Sequence, residues 1–238
     1  MIMPVIRASF GRSEALQLVE LLGRHDAELR DAARQRLEEG GLDDLLDDPR
    51  VLNALLTDDE VRSRPEIFFY VLVRQSMLER GVDDPVAADY VASMLVGFGQ
   101  SRRAYRISSD SDEEYGYLVD LMARLRTAGG REAFLIRMHM GNFSLWLSGL
   151  FPDFLESRVR RKGAPPISYY ERMGSTGYLM ASESPEAATL GLEGALRAIA
   201  RQFSGVRSAL NRVSDRYLWR GSGDPVGRLL REVTYAME

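Results

Sequence analysis

The sequence contains no cysteine, and Lys162 is the only lysine among its 31 basic residues. The absence of cysteine excludes disulfide bonds, thiolate nucleophiles and cysteine-bound zinc. It also fits a protein of the reducing cytoplasm, where we expect this chain to be located. The scarcity of lysine makes arginine the main basic residue, as the codon bias of a GC-rich genome explains.

The sequence also has no excess of positive charge, since its net charge is −4 and its pI is about 5.4. Nucleic-acid binding requires a basic footprint, so nucleic acid is not expected as the main partner. The most apolar run, Ala133 to Phe151, carries Arg137, His139 and Asn142 near its centre. A central arginine costs about 2.5 kcal/mol or more in lipid, so we expect a buried helix here and no membrane association. Residues 1–10 contain no apolar core typical of a signal peptide.

Period-two alternation typical of strands is missing, whereas apolar residues recur every three to four positions between clear helix starts. Several starts pair an Asp or Ser cap with a following proline, as in Asp48-Pro49, Asp84-Pro85 and Ser184-Pro185. The pattern predicts an all-α protein, an irregular orthogonal bundle of about ten to twelve helices. We expect residues 1–12 to form an N-terminal tail. Residues 13–238 are then one helical domain, with a division into two lobes near the polar residues 100–112 as an open alternative.

Motifs that mark common enzymes are absent from the sequence. It has no phosphate-binding GxxxxGK[ST] loop, no Gly-x-Ser-x-Gly elbow and no Glu-x-x-His pair for a di-iron bundle. Its two histidines, His25 and His139, stand in neighbourhoods that suggest neither a catalytic triad nor a metal site. We therefore predict no metal and no cofactor, and catalysis is less expected than binding.

The segment Arg131 to Phe151 is the most distinctive part of the chain. Its polar and aromatic residues His139, Asn142 and Trp146 share one helical face. The small residues Gly141, Ser144 and Ser148 form a neighbouring stripe that would let another helix approach closely.

Two interpretations of this segment stay open. In the first, His139 and Asn142 bind loop carbonyls and organise the core. In the second, the segment lines an apolar ligand pocket that tyrosines close after the Pro165-Pro166 bend. The residues that would form this pocket are Arg137, His139, Asn142, Trp146, Tyr169 and Tyr170.

Basic residues cluster at the end of a short helix that follows Pro152. They complement the helix dipole, which is a sufficient explanation of their position. Together with a second basic run they could also form an anion- or partner-binding patch. The residues of that hypothetical patch are Arg102, Arg103, Arg106, Arg158, Arg160, Arg161 and Lys162.

The favoured function is that of a non-enzymatic interaction or regulatory protein that binds a protein partner or a second copy of itself. The alternative is a sensor or carrier of a small apolar ligand, bound near Trp146 and His139. A third hypothesis is an enzyme of unknown class whose site is built from Arg, Tyr and Glu and could include His139.

Overall fold

The computed structural model describes residues 2–24, 27–57, 65–99 and 118–215, and these ranges contain fourteen α-helices and no strand. The predicted all-α fold is therefore confirmed. The helices are α1 (Ile6–Ser9), α2 (Arg12–Leu22), α3 (Ala27–Glu39), α4 (Gly41–Leu46), α5 (Pro49–Thr57), α6 (Pro65–Leu78), α7 (Pro85–Gly99), α8 (Leu118–Leu125), α9 (Gly130–Leu150), α10 (Pro152–Lys162), α11 (Ile167–Ser182), α12 (Pro185–Thr189), α13 (Glu193–Arg201) and α14 (Phe203–Val213).

The described helices outnumber the predicted ten to twelve because several of them are very short. Helices α1, α4 and α12 contain 4, 6 and 5 residues. Helices this short contain too few residues for an apolar repeat of three to four positions to be recognised. Sequence reasoning that depends on this repeat therefore did not detect them.

Side-chain caps set several helix starts where the sequence predicted them. The Asp84 carboxylate accepts hydrogen bonds from the amides of Val86 and Ala87, at 3.0 and 2.9 Å, and α7 begins at the intervening Pro85. Helices α5 and α12 likewise begin at prolines that follow a capping residue. These local interactions satisfy orphan amides and fix where each helix enters the bundle.

Helix α9 lies in the centre of the molecule and is buried along most of its 21 residues. It packs on α11, α14 and α8, while α6 pairs with α7. Residues 67–77 of α6 are all buried, including Tyr70, Val71, Leu72 and Val73.

Small residues bring α9 and α11 close together along antiparallel axes. A methyl group added to Gly177 of α11 would lie 2.8 Å from the carbonyl oxygen of Arg137 and 3.1 Å from the amide nitrogen of Gly141. One added to Gly174 would lie 2.8 Å from Cβ of Ser144. The prediction that Gly141 and Ser144 allow close approach of another helix is thus confirmed, and α11 supplies two glycines of its own.

Part of the stretch for which the sequence predicted an N-terminal tail packs against α7. Ile6 and Phe10 are buried, and the buried carboxylate of Asp89 on α7 accepts the amides of Ile6 and Arg7 at 3.0 and 3.1 Å. Arg7 also forms an ion pair with Asp43. The two bonds to Asp89 join residues more than 80 positions apart, so no local pattern in the sequence indicates them.

We expect Asp89→Ala to release this N-terminal segment. The substitution leaves two amides at the start of α1 without their acceptor, so the free energy of unfolding should fall by about 1–2 kcal/mol, as for a lost helix cap. Urea unfolding measures the loss, and limited proteolysis should cut the variant within its first residues. Asp89→Asn keeps one side-chain oxygen and serves as the milder control. An unchanged proteolysis pattern in the alanine variant would contradict this role of Asp89.

Within the described ranges, none of the helices combines the length and the apolar content needed to cross a membrane. The suggested division between two lobes at residues 100–112 lies outside the described residues.

Candidate functional site

Helix α9 positions four of the six residues predicted to bind a ligand. His139, Asn142 and Trp146 are 3%, 4% and 1% exposed, so all three belong to the interior. Arg137 is only partly buried and lies nearer the start of the helix. The four residues therefore divide between the core and the surface.

An aromatic cluster encloses His139 and Trp146, and we define it as Phe98, His139, Phe143, Trp146 and Phe151. The Trp146 ring packs edge to face on Phe151 and on Phe98, with centroids 4.9 and 5.8 Å apart. The His139 ring lies 6.1 Å from Phe98 and 6.3 Å from Phe143. Aromatic side chains thus pack where the sequence suggested that a ligand could bind.

His139 is held in this cluster as a neutral imidazole. Burial lowers its pKa from 6.5 to about 4, because the charged form would lose its hydration. Its Nε2 atom is buried and has no hydrogen-bond partner among the described residues. A general acid or base must reach a reacting group and exchange protons near neutral pH. In this environment His139 is suited to neither task.

Asn142 joins three helices through a buried polar triad that consists of Tyr90, Asn142 and Tyr178. Its Oδ1 atom accepts hydrogen bonds from the hydroxyls of Tyr90 on α7 and Tyr178 on α11, both at 2.8 Å. The two tyrosine rings also meet edge to face, with centroids 6.0 Å apart. Burial raises the pKa of both phenols, so both remain donors.

The triad differs from the predicted arrangement, in which Asn142 binds loop carbonyls. Sequence reasoning missed Tyr90 and Tyr178 because they lie 52 and 36 positions from Asn142, and no local pattern links them to it. The available signal was that a buried tyrosine usually needs a partner for its hydroxyl, and that Asn142 is a suitable acceptor.

Tyr169 and Tyr170, predicted to close the pocket, lie at the start of α11. Their rings pack edge to face with centroids 5.5 Å apart. The structure does not assign these tyrosines to any of the three surface cavities described next.

The first cavity, the Arg137 groove, is an open site of about 490 Å³ beside the start of α9. Its charged and polar walls come from α9, from the end of α11 and from α12. They are Arg137, Glu183, Ser184 and Glu186, with Ala133, Met180 and Pro185 as apolar neighbours. Arg137 is thus the only one of the six predicted ligand residues that lines any of these three cavities.

Two further cavities flank the start of α4 and share Gly41 and Leu42. Their volumes are about 560 and 630 Å³. Val86 lines the first and Leu16 the second, and both side chains are well exposed. Their linings mix apolar residues with charged ones, such as Arg7 and Asp43 in the first and Arg34 and Glu38 in the second.

The basic end of α10 comprises Arg158, Arg160, Arg161 and Lys162. The last three side chains are exposed and form no ion pair with any described residue. The Arg158 guanidinium lies 5.6 Å from the centre of the Phe154 ring. The other predicted members of the patch, Arg102, Arg103 and Arg106, lie outside the described residues.

Acidic and histidine side chains within the described ranges do not gather in any group of three able to hold a metal ion. Comparison of the chain with protein-family models, with curated proteins and with solved structures finds no match.

Proposed function

We propose that this chain is a non-enzymatic interaction protein of the cytoplasm that binds an acidic segment of a protein partner through the basic end of α10. The observation that carries the proposal is a group of three exposed cations, Arg160, Arg161 and Lys162, without ion-pair partners among the described residues. Like charges held together on one helix end repel one another. An acidic partner relieves that repulsion.

The end of α10 is held in a defined geometry. Gly163 ends the helix in the left-handed conformation, with φ +61°, and its amide donates to the carbonyl of Val159 at 3.1 Å. The Arg161 Nε atom donates to the Ser157 hydroxyl at 2.9 Å. The helix end is therefore preorganised, which lowers the entropic cost of binding.

The charge of the whole chain favours a protein partner over nucleic acid. A net charge of −4 repels a long polyanion, whereas a short acidic segment can contact the basic end alone. Complementary charge chiefly accelerates association and fixes orientation, so binding should weaken steeply as salt rises.

The buried ionisable groups support a binding function rather than a catalytic one. Asp89 caps α1, and the buried Arg74 pairs with Asp47 and Asp83 at 2.6 and 2.7 Å. Tyr90 and Tyr178 donate to Asn142. Each of these groups is occupied in joining elements of the fold.

Charge reversal at Arg160 and Arg161 tests the proposal. We expect Arg160→Glu/Arg161→Glu to weaken binding of a fluorescent glutamate-rich peptide by roughly tenfold or more at low salt, because two attractions become repulsions. Fluorescence anisotropy measures the affinity. The matched control is Arg126→Glu/Arg131→Glu, which changes the net charge equally at two exposed arginines without ion-pair partners among the described residues.

Three outcomes contradict the proposal. The first is equal weakening by both double variants, which would indicate a response to net charge alone. The second is unchanged binding in the α10 variant. The third is tighter binding of a single-stranded oligonucleotide than of the peptide, which would favour nucleic acid.

The prediction of self-association is checked on the same samples by sedimentation.

A further inference from the structure

The Arg137 groove has unpaired charges of both signs in a space of small-molecule size. Its volume of about 490 Å³ lies in the range typical of ligand sites. One guanidinium, from Arg137, and two carboxylates, from Glu183 and Glu186, line it. None of the three side chains forms an ion pair or hydrogen bond with another described residue.

Arg137 is the cationic end of the groove. Side chains of a helix tilt toward its N-terminus, so the guanidinium extends toward the beginning of α9. Its Nε atom is shielded from water and has no acceptor among the described residues. A guanidinium stays charged at every accessible pH and matches a carboxylate through two parallel hydrogen bonds. A ligand carboxylate would supply the missing acceptor.

The two glutamates form the anionic end. Glu183 follows the last turn of α11, and Glu186 lies on α12 with its Oε1 atom 4.0 Å from the position of a Cβ on Gly130. Together with Arg137 they leave the groove one negative charge in excess. Two carboxylates disfavour phosphate and other dianions, and they favour ammonium groups.

The apolar part of the lining fits an aliphatic chain. Met180 is 38% exposed, and Ala133 and Pro185 extend the same surface. A short methylene stem could therefore join the two charged ends of a ligand. We propose that the Arg137 groove binds a free amino acid with a basic side chain, whose carboxylate pairs with Arg137 and whose side-chain ammonium, at the far end of the methylene stem, pairs with Glu183 and Glu186.

Three related compounds test how much each charged end of the ligand contributes to binding. L-lysine has all three charged groups, cadaverine lacks the carboxylate, and norleucine lacks the side-chain ammonium. Isothermal titration of the full chain should give tightest binding for lysine, with each of the other two at least tenfold weaker. A charge-assisted hydrogen bond is strong enough to produce a difference of that size.

Substitutions then assign each end to its residues. Arg137→Gln should weaken lysine binding at least tenfold and leave cadaverine binding unchanged. Glu186→Gln should weaken the binding of both lysine and cadaverine and leave the binding of norleucine unchanged. Glu183→Gln, which neutralises the second carboxylate, should have the same effect. Arg201→Gln, at an exposed arginine that ends α13 and does not line the groove, is the control and should change nothing. Unfolding midpoints of all variants establish that they are folded.

Absence of lysine binding to the parent chain at millimolar concentration would overturn the proposal. Equal affinities of lysine and norleucine would overturn it as well, and so would an Arg137→Gln variant that binds lysine normally. The site is independent of the proposed protein partner, so Arg160→Glu/Arg161→Glu should bind lysine like the parent.

Discussion

Replacing Gly177 by alanine should lower the free energy of unfolding by about 2–3 kcal/mol, although alanine is the better helix former. The added methyl group would meet the carbonyl oxygen of Arg137 at 2.8 Å and the amide nitrogen of Gly141 at 3.1 Å. Both neighbours are backbone atoms of α9, so no side-chain rotation relieves the contact. Helices α9 and α11 must move apart, and this movement lengthens the 2.8 Å hydrogen bond from the Tyr178 hydroxyl to Asn142.

The matched control is Gly194→Ala in α13. A Cβ at Gly194 has no atom within 4 Å, so this variant should be about 0.5–1 kcal/mol more stable than the parent. Urea unfolding followed by circular dichroism compares the two substitutions in one background. Should both variants gain stability, the α9–α11 interface would have to be looser than the structure shows.

Lowering the pH from 7 to 4 should destabilise the chain through His139 by about 3 kcal/mol. The pKa of His139 is near 4 in the folded chain and 6.5 for an ordinary histidine. The unfolded chain therefore binds the proton more tightly. The stabilising contribution is complete above pH 6.5 and is lost as the pH falls from 6.5 toward 4.

His139→Leu isolates this effect from the titration of carboxylates. Leucine is apolar and similar in size, and it removes the unpaired Nε2 from the aromatic cluster. We expect the stability difference between variant and parent to shift toward the variant by about 3 kcal/mol between pH 7 and pH 4. His25 remains in both proteins, so its titration cancels. A difference that is constant with pH would mean that His139 is hydrated in the folded state.

Part of the candidate site could be read from the sequence. The spacing of His139, Asn142 and Trp146 predicted a shared helical face, and all three are buried along α9. The spacing could not predict that Phe98 packs against both His139 and Trp146, or that two tyrosines bind Asn142. Those partners come from helices far away in sequence.

Of the two proposed surface sites, one could be predicted from the sequence and the other could not. The basic end of α10 consists of residues that are close together in the sequence, so it could be predicted without the structure. The Arg137 groove was not predicted, because Glu183 and Glu186 approach Arg137 only through the packing of α11 and α12 on α9.

The sequence by itself determined that this protein is helical and where many of its helices begin. Those features depend on bonds between residues up to four positions apart and on caps such as Asp84, which act before any tertiary contact forms. The tertiary structure decided that the first residues pack on Asp89, that Asn142 binds two hydroxyls and that Arg137 faces a groove. Each of these depends on groups from 36 to 83 positions apart or on separate helices, and only the closure of the core brings them within bonding distance.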